Sequence, residues 1–591
     1  MSKSLFEHDF QKDLEENENT YCTQDIQWQY INDNNQGNYS NGYINFTNLN
    51  LSSGSIDKMY SFSNAYITVP YTIALYGDGN VNGFKFTVDA ANAYAACLKS
   101  STCIVDWVSA KFDGAQLTRS SYHNHLMMNE KIKTYNADKY KLYGDVMGHA
   151  WDNGHSINYV SAGLGETNNH TFRPHTMSTG LAGLAPSNIT NDGHFQRCMK
   201  NNIDVTRAAN SSLNKFLTLT DSPNTSIRDT EHQNVLVFQD ADTLIFHGTA
   251  IIPLSELHDV FREMPTVSTM NGFDLRLQCN IARENTYSIN YPAITGATGI
   301  ITPTAVNVIQ SIGKVCPVMV PFASVEGQTG LRYIDGTQGT GILNIKCAIG
   351  WGKFETLPTG MSQNANSVAA SNSICRIHVP TISFTSDYIK DIASAPQYSL
   401  KYNDYYVDSD LNQKQGSTVS RLFNTQLTRA RILYIIPFLA QSTVAGKTYP
   451  SALTSPFSSA PTTCTPCRLK NLNISIGGSW LFSEPQNYNY NFFNNNALSI
   501  VSDINGNSLK GNLFSGQISK SMWENGYNVT YVNLEKVSDI ILDSTMKQFQ
   551  LSYTIEGTNT DVYYDMYYII SYQNEINLDR LTGKVTSINQ Q

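Results

Sequence analysis

The sequence predicts an all-β protein of two tandem antiparallel domains, with few short helices and long loop insertions. Three observations lead there. Apolar and polar residues alternate at a period of two in many stretches, which is the pattern of a half-buried strand. Clusters of Gly, Asn, Ser and Pro punctuate those stretches. One strand–turn pattern also occurs twice in the same order.

In chain order, Tyr66-Ile-Thr-Val-Pro70 reads as a strand whose proline marks an edge or a bulge, because proline has no N–H for a ladder. The alanine-rich stretch from Asp89 to Lys99 reads as a short helix. A strand then runs to the turn Asp113-Gly114. Leu244 to Ile251 is a strand, and Pro253 opens a helix that puts Leu254, Leu257, Val260, Phe261 and Met264 on one stripe. Phe273 to Cys279 alternates at every step, as do Leu472 to Ile476 before Gly477-Gly478, and Phe549 to Ile555. Ile432 to Leu439 (broken by Pro437) and Val562 to Ile570 (broken by Asp565) are nearly continuous apolar runs, read as strands covered on both faces.

The repeat is one of pattern. Residues 103–129 and 470–496 each run strand, Gly-containing turn, aromatic-bearing segment. The strands at 244–251 and 273–279 are matched in order by those at 527–534 and 549–555. The second pair of modules lies about 90 residues closer together than the first, so the first copy carries an insertion at about 125–230. The expected division is an N-terminal arm at 1–60, a first β-domain at 61–285, a connecting segment at 286–370 rich in Gly, Thr and Ser, and a second β-domain at 371–591.

Composition narrows the function. Charged residues are only 15% of the 591, against a usual quarter, and roughly 60 Asn stand in their place. Aromatics at 11% mark a chain that folds. A net charge of −9, with six acids against Lys3 and Lys12 in the first twenty residues, leaves no basic footprint for nucleic acid. The opening MSKSLFEHDF has no apolar core of signal-peptide length, and the longest apolar runs, such as 432–440, fall short of the ~20 residues that span a bilayer. The 10 Cys are scattered apart from Cys464-Thr-Pro-Cys467, which lacks the second ligand pair of a structural zinc site, so reduced, mostly buried thiols are expected.

Candidate chemistry is sparse. Phosphate-loop, HExxH and GxSxG patterns do not occur. Seven of the 12 His (His123, His125, His149, His155, His170, His175 and His194) gather in the insertion if it is counted from His123, and His123-Asn-His125 would put two rings on one strand face as a metal pair. The plainer reading is that they are polar loop residues. Asp240-Ala-Asp242 and the acids from Asp404 to Asp410 are the obvious carboxylates for glycoside chemistry, although their contexts read as turns where Asp bonds locally. Tyr488-Asn-Tyr-Asn-Phe-Phe-Asn offers flat apolar faces for sugar rings, or else core or interface. No catalytic, cofactor-binding or metal residue is assigned.

Several stretches carry a family resemblance. HGTAIIPLSELHDVFREM leading to GFDLRLQCN, the opening STCIVDWVSAKFDGAQLTRSSYHNHL, the run LTRARILYIIPF followed by LKNLNISIGGSWLFSEP, and the terminal DVYYDMYYIISYQNEINLDRLTGKV resemble the double jelly-roll major capsid proteins of the virophage, Polinton and adenovirus–tectivirus lineage. The resemblance is spread over most of 60–591. It implies two tandem eight-stranded antiparallel jelly rolls, with no catalysis. It implies a homotrimeric capsomer of pseudo-hexagonal outline that tiles an icosahedral virion shell, made in the host cytoplasm or virus factory. Its partners are then itself, neighbouring capsomers and a penton or minor capsid protein, without direct nucleic-acid binding. The rival readings are a β-sandwich carbohydrate-binding protein or glycoside-processing enzyme, and a fibre protein. A fibre favours shorter repeats than the twofold, domain-sized one seen here.

Overall fold

Period-two alternation gives each strand one apolar face, and the chain buries those faces by stacking sheets in pairs. The computed structural model describes residues 23–39, 42–52, 57–77, 104–118, 243–279, 284–294, 305–311, 339–351, 374–439, 467–494, 520–525, 528–534, 547–558 and 563–589. Shorter strand pieces are described at 85–87, 97–98, 157–158, 173–174, 228–230, 235–240, 318–319, 332–334, 443–444 and 447–448.

The first half contains β1 (Thr23–Asn32), β2 (Tyr43–Ser52), β3 (Lys58–Tyr60), β4 (Tyr66–Gly77), β5 (Val105–Phe112), β6 (Ala115–Gln116), β7 (Arg228–Thr230), β8 (Val235–Asp240) and β9 (Thr243–Pro253). It continues with β10 (Thr269–Cys279), β11 (Glu284–Ile294), β12 (Ala305–Ser311), β13 (Gly339–Trp351) and β14 (Arg376–Phe384). The second half contains β15 (Gln397–Lys414), β16 (Thr418–Leu427), β17 (Ala430–Leu439), β18 (Leu469–Ile476), β19 (Ser479–Trp480), β20 (Thr530–Asn533), β21 (Lys547–Ile555), β22 (Tyr563–Asp579) and β23 (Val585–Asn589).

Strand order is the same in both halves. In the first, the ladder β1-β14-β4-β9 lies in one sheet and β2-β10-β5-β6 in the other. In the second, β15-β22-β17-β20 faces β16-β21-β18-β19. Read along the chain, each half lays down eight strands in the same alternating order between its two sheets, which is the jelly-roll arrangement. The pattern repeat falls on equivalent places: β5 and β18 each end in a tight turn, and β10 and β21 each run beside them. Both turns need left-handed backbone, with φ 48° and 77° at Asp113-Gly114 and 58° and 89° at Gly477-Gly478, and an Asp-Gly or Gly-Gly pair supplies it.

The first core joins Ile67 and Val69 of β4 and Ile377 of β14 to Phe46, Val108 and Leu275 of the opposing sheet. The second joins Tyr434 and Ile436 of β17 and Tyr568 of β22 to Ile474 and Leu551. The apolar run at 432–438 is buried throughout, as expected for a strand covered on both faces.

Several placements depart from the sequence reading. Pro70 is central, not at an edge: β9 pairs along the whole of one side of β4. On its other side β4 pairs with β14 through Thr68 and with β13 from Tyr71 onward, so the residue without an N–H falls where the partner changes. Strands β1 to β3 lie within 1–60, read as an arm; β12 and β13 lie within 286–370, read as a connecting segment, and β11 runs into it from Glu284. With β14, which lies within 371–591, all but β2 hydrogen-bond into the large sheet of the first half, and β2 pairs with β10. Pairing between distant strands is a tertiary matter that local pattern does not encode.

The helix expected over Leu254–Met264 is two helices, α1 (Leu254–Leu257) and α2 (Asp259–Glu263), broken at His258, whose backbone is extended. Its apolar stripe is buried as read. The helix expected at Asp89–Lys99 lies outside the described residues except Cys97–Leu98, which form a two-residue strand. An unexpected helix, α3 (Ser386–Ser394), links β14 to β15 and sets Ile392 against Met59, Ile382 and Phe384. Further along, α4 (Lys520–Asn525) buries Trp523.

Candidate functional site at the seam between the rolls

One ladder belongs to both cores. Strands β15 and β22 pair almost end to end, from Gln397↔Asp579 to Lys414↔Tyr563, a length on the order of 60 Å at the usual strand rise. At one end Leu400, Tyr402, Ile576 and Leu578 pack into the first core. Towards the other, Tyr405, Met566, Tyr568 and Tyr572 pack into the second. Where the ladder passes between the cores it carries a buried polar cluster centred on Asp404.

Four donors converge on the Asp404 carboxylate. His258 Nε2 lies 3.2 Å and the Tyr405 backbone N–H 2.8 Å from Oδ1; the Tyr572 hydroxyl at 3.1 Å and Asn574 Nδ2 at 3.2 Å donate to Oδ2. The other ring nitrogen of His258, Nδ1, accepts the Val260 N–H at 3.1 Å, which caps α2. That acceptor role assigns the ring proton to Nε2, where it is donated to Asp404. Beside it, Tyr405 donates its hydroxyl to Asp259 Oδ2 at 2.8 Å, and Arg262 lies 3.3 Å from the same oxygen. The negative charge of Asp259, ahead of all else, pushes the Arg262 pKa up. The break in the expected helix thus has a chemical reason: an extended His258 both caps α2 and reaches the second roll.

A His–Asp pair invites comparison with the orienting half of a catalytic triad, where one ring nitrogen meets the carboxylate and the other stays open for proton transfer. Here both nitrogens are engaged within the fold, and the His258 side chain is 0% exposed. The arrangement can hold two domains in register. It has no nitrogen left to move a proton to a substrate.

The other sequence candidates are distributed as follows. The acids from Asp404 to Asp410 are not in a turn but inside β15. Arg421 binds Asp408 through Nη2 at 2.9 Å and Asp410 through Nη1 at 2.7 Å. The Tyr568 hydroxyl donates to Asp410 at 3.0 Å and meets the Tyr553 hydroxyl at 2.6 Å. Burial above all pushes both phenol pKa values up. These carboxylates are tied to one guanidinium and one phenol, an internal strut between β15, β16 and β22. Asp240 ends β8, while Asp242 lies outside the described residues.

Tyr488 and Phe493 are interior, packed with Trp523 at ring-centroid distances of 6.2 and 5.5 Å. Tyr488 exchanges hydrogen bonds with the Tyr531 backbone, each at 2.8 Å. Their stripe therefore serves the second core. All seven His of the insertion, and Cys464, lie outside the described residues. Among the described residues Cys279, Cys375 and Cys467 are buried, no group of three metal-ligating side chains occurs, and no helix is long and apolar enough to cross a membrane.

Neither a family model nor a curated protein matches the sequence. Among solved structures, the chain is similar to the cryo-EM structure of the Sputnik virophage, with 13% identity, a TM-score of 0.42, and 97% of this chain and 91% of that one covered. It is similar to the Faustovirus major capsid protein at 11% identity and a TM-score of 0.43, covering 95% and 91%. The mavirus major capsid protein gives 10% identity and a TM-score of 0.41, covering 97% and 91%. No residue of the chain takes a role from these similarities.

Proposed function

We propose that the chain is a viral major capsid protein of the double jelly-roll type, a structural and non-catalytic component of the virion. The observation that carries this reading is the pair of jelly rolls with identical strand order, joined by one ladder that enters both cores. A chain with two equivalent rolls, assembled about a threefold axis, presents six similar units. That gives a hexagonal outline suited to tiling a closed shell. Low charge and abundant neutral polar side chains support the same reading, since such groups pair across subunit seams without desolvating ions. The division we favour puts β1 to β14 in the first roll and β15 to β23 in the second, with α3 between them. The partners are then further copies of the chain, neighbouring capsomers and a penton or minor capsid protein.

The carbohydrate-processing alternative is not favoured, because most of its residue set, the acids of β15 and the Tyr488 stripe, is used inside the fold. Light scattering on the purified chain, with negative-stain microscopy of the same fraction, tests the proposal. Particles of three chains with a hexagonal outline, or closed shells, are expected. A chain that stays monomeric at high concentration overturns it.

A further inference from the structure

Strand β1 is the last strand of its ladder. It pairs with β14 on one side, and among the described residues nothing pairs with its other edge. Free edges with matching side chains recruit other strands, and proteins ordinarily block them with charges, proline or bulges. The equivalent edge strand of the second roll carries exposed charges of that kind: Lys401 and Lys414 of β15 both reach solvent. In β1, TQDIQWQYIN, Asp25 is the one charge and there is no proline.

The outer face of β1 is also apolar. Ile26, Trp28 and Tyr30, at alternate positions, are 55, 54 and 64% exposed, on the order of 350 Å² of contiguous surface for side chains of this size. The patch continues inward over the sheet. Trp28 lies 5.5 Å from Tyr66, which stacks on His378 at 4.6 Å, and Arg376 lies over the Tyr30 ring.

We propose that the open edge of β1 is a two-fold contact for β1 of a second copy of this chain, the two strands pairing antiparallel about Trp28. The sequence of the strand selects this occupant. Pairing about Trp28 sets Ile26 opposite the partner's Tyr30, Gln27 opposite the partner's Gln29 and Asp25 opposite the partner's Ile31. An unbroken apolar stripe forms on one face, amides meet amides on the other, and no like charges meet. An isologous contact requires this self-complementarity. Two copies together bury on the order of 700 Å² of the apolar patch, short of the ~1,200–2,000 Å² of a self-sufficient interface. The contact is therefore weak between free chains and strengthens where copies are held side by side. It does not rest on the capsid reading, since the edge has this chemistry whatever the protein does.

Cross-linking tests it. The variants Gln27→Cys and Gln29→Cys leave Trp28 in place, and the proposed register brings the introduced thiol of the first variant opposite that of the second, within disulfide reach. The full-length proteins, mixed and oxidised with diamide, should give a dimer on a non-reducing gel that neither variant gives alone above the wild-type background of native thiols. Adding Trp28→Glu to both should lower the yield at least tenfold while the thermal melt stays unchanged. Equal yields from the mixture and from either variant alone, or a yield insensitive to Trp28→Glu, overturn the proposal. So does a failure to cross-link accompanied by a Trp28-dependent fluorescence change on adding chito-oligosaccharide, which marks a sugar platform instead. The threefold mass of the capsid test is a separate readout, so either idea can fail without the other.

Discussion

At the scale of residues, the most consequential side chain is a carboxylate buried at the seam between the rolls. Asp404 is 2% exposed and receives four donors from three elements. Asp404→Ala leaves His258, Tyr572 and Asn574 without their acceptor and should cost about 3–5 kcal/mol; urea unfolding of the purified protein checks it, and Asp404→Asn should cost less because one oxygen remains. Arg421 poses a question of shape. Its fork grips two carboxylates at once, so Arg421→Lys, which keeps the charge and loses the fork, should still cost about 1–2 kcal/mol in the same measurement.

Glu575 gives a pH signature. The Ser399 hydroxyl, 2.7 Å away, is the main cause that lowers its pKa, against desolvation and with Arg429 adding at 3.0 Å. A folded value below the unfolded one stabilises the fold fully above about pH 4.5, and that stabilisation disappears as the pH falls through the lowered value. Ser399→Ala should therefore be less stable than wild type at about pH 7, and the difference should shrink as the pH falls below about 4.5. Unfolding curves of both proteins across an acid series decide.

At the scale of elements, the two Gly-containing turns are where local chemistry dictates geometry. An added Cβ at Gly114 or Gly478 meets nothing within 4 Å, so the left-handed backbone is what first resists a side chain there. Gly478→Ala should cost about 1–2 kcal/mol through that conformation, and Gly114→Ala a similar amount; thermal melts of the two variants should shift together. The helix pair α1–α2 obeys a different rule. Its stripe was legible at helical spacing, but the break was not, because it depends on His258 meeting Asp404 of β15, 146 residues away. Pro70 shows the same limit. Proline excludes a normal ladder position, and the sequence offers edge or bulge as solutions. The fold uses a third, the gap between two partner strands.

At the scale of the whole molecule, the ladder β15–β22 determines how the protein comes apart. Because it contributes Leu400 and Ile576 to one core and Tyr405 and Tyr572 to the other, the rolls should not unfold independently. A single calorimetric transition is expected for wild type, and Asp404→Ala should split or broaden it. The excess of about 125–230 is proposed to face outward from the shell, where loop length is least constrained. Limited proteolysis of intact particles should cut there first, and early cleavage elsewhere with that stretch spared would count against it.

By itself the sequence determined the all-β class, the twofold repeat, the turns at Asp113-Gly114 and Gly477-Gly478, and the strands around Phe273, Ile432, Leu472, Phe549 and Ile569. All of these follow from periodicity or from the backbone freedom of particular residues, which act over a few positions. It also suggested that the Tyr488 stripe belonged to core or interface. Only the tertiary structure decided that β1 and β2 begin the first roll, that β14, from the far end of that half, pairs with β1 to complete its sheet, and that the acids of β15 are internal struts and not a turn. Strand pairing and buried polar networks join residues far apart in the chain. A carboxylate reads alike in a turn, a cleft or a seam until the surrounding donors are in place.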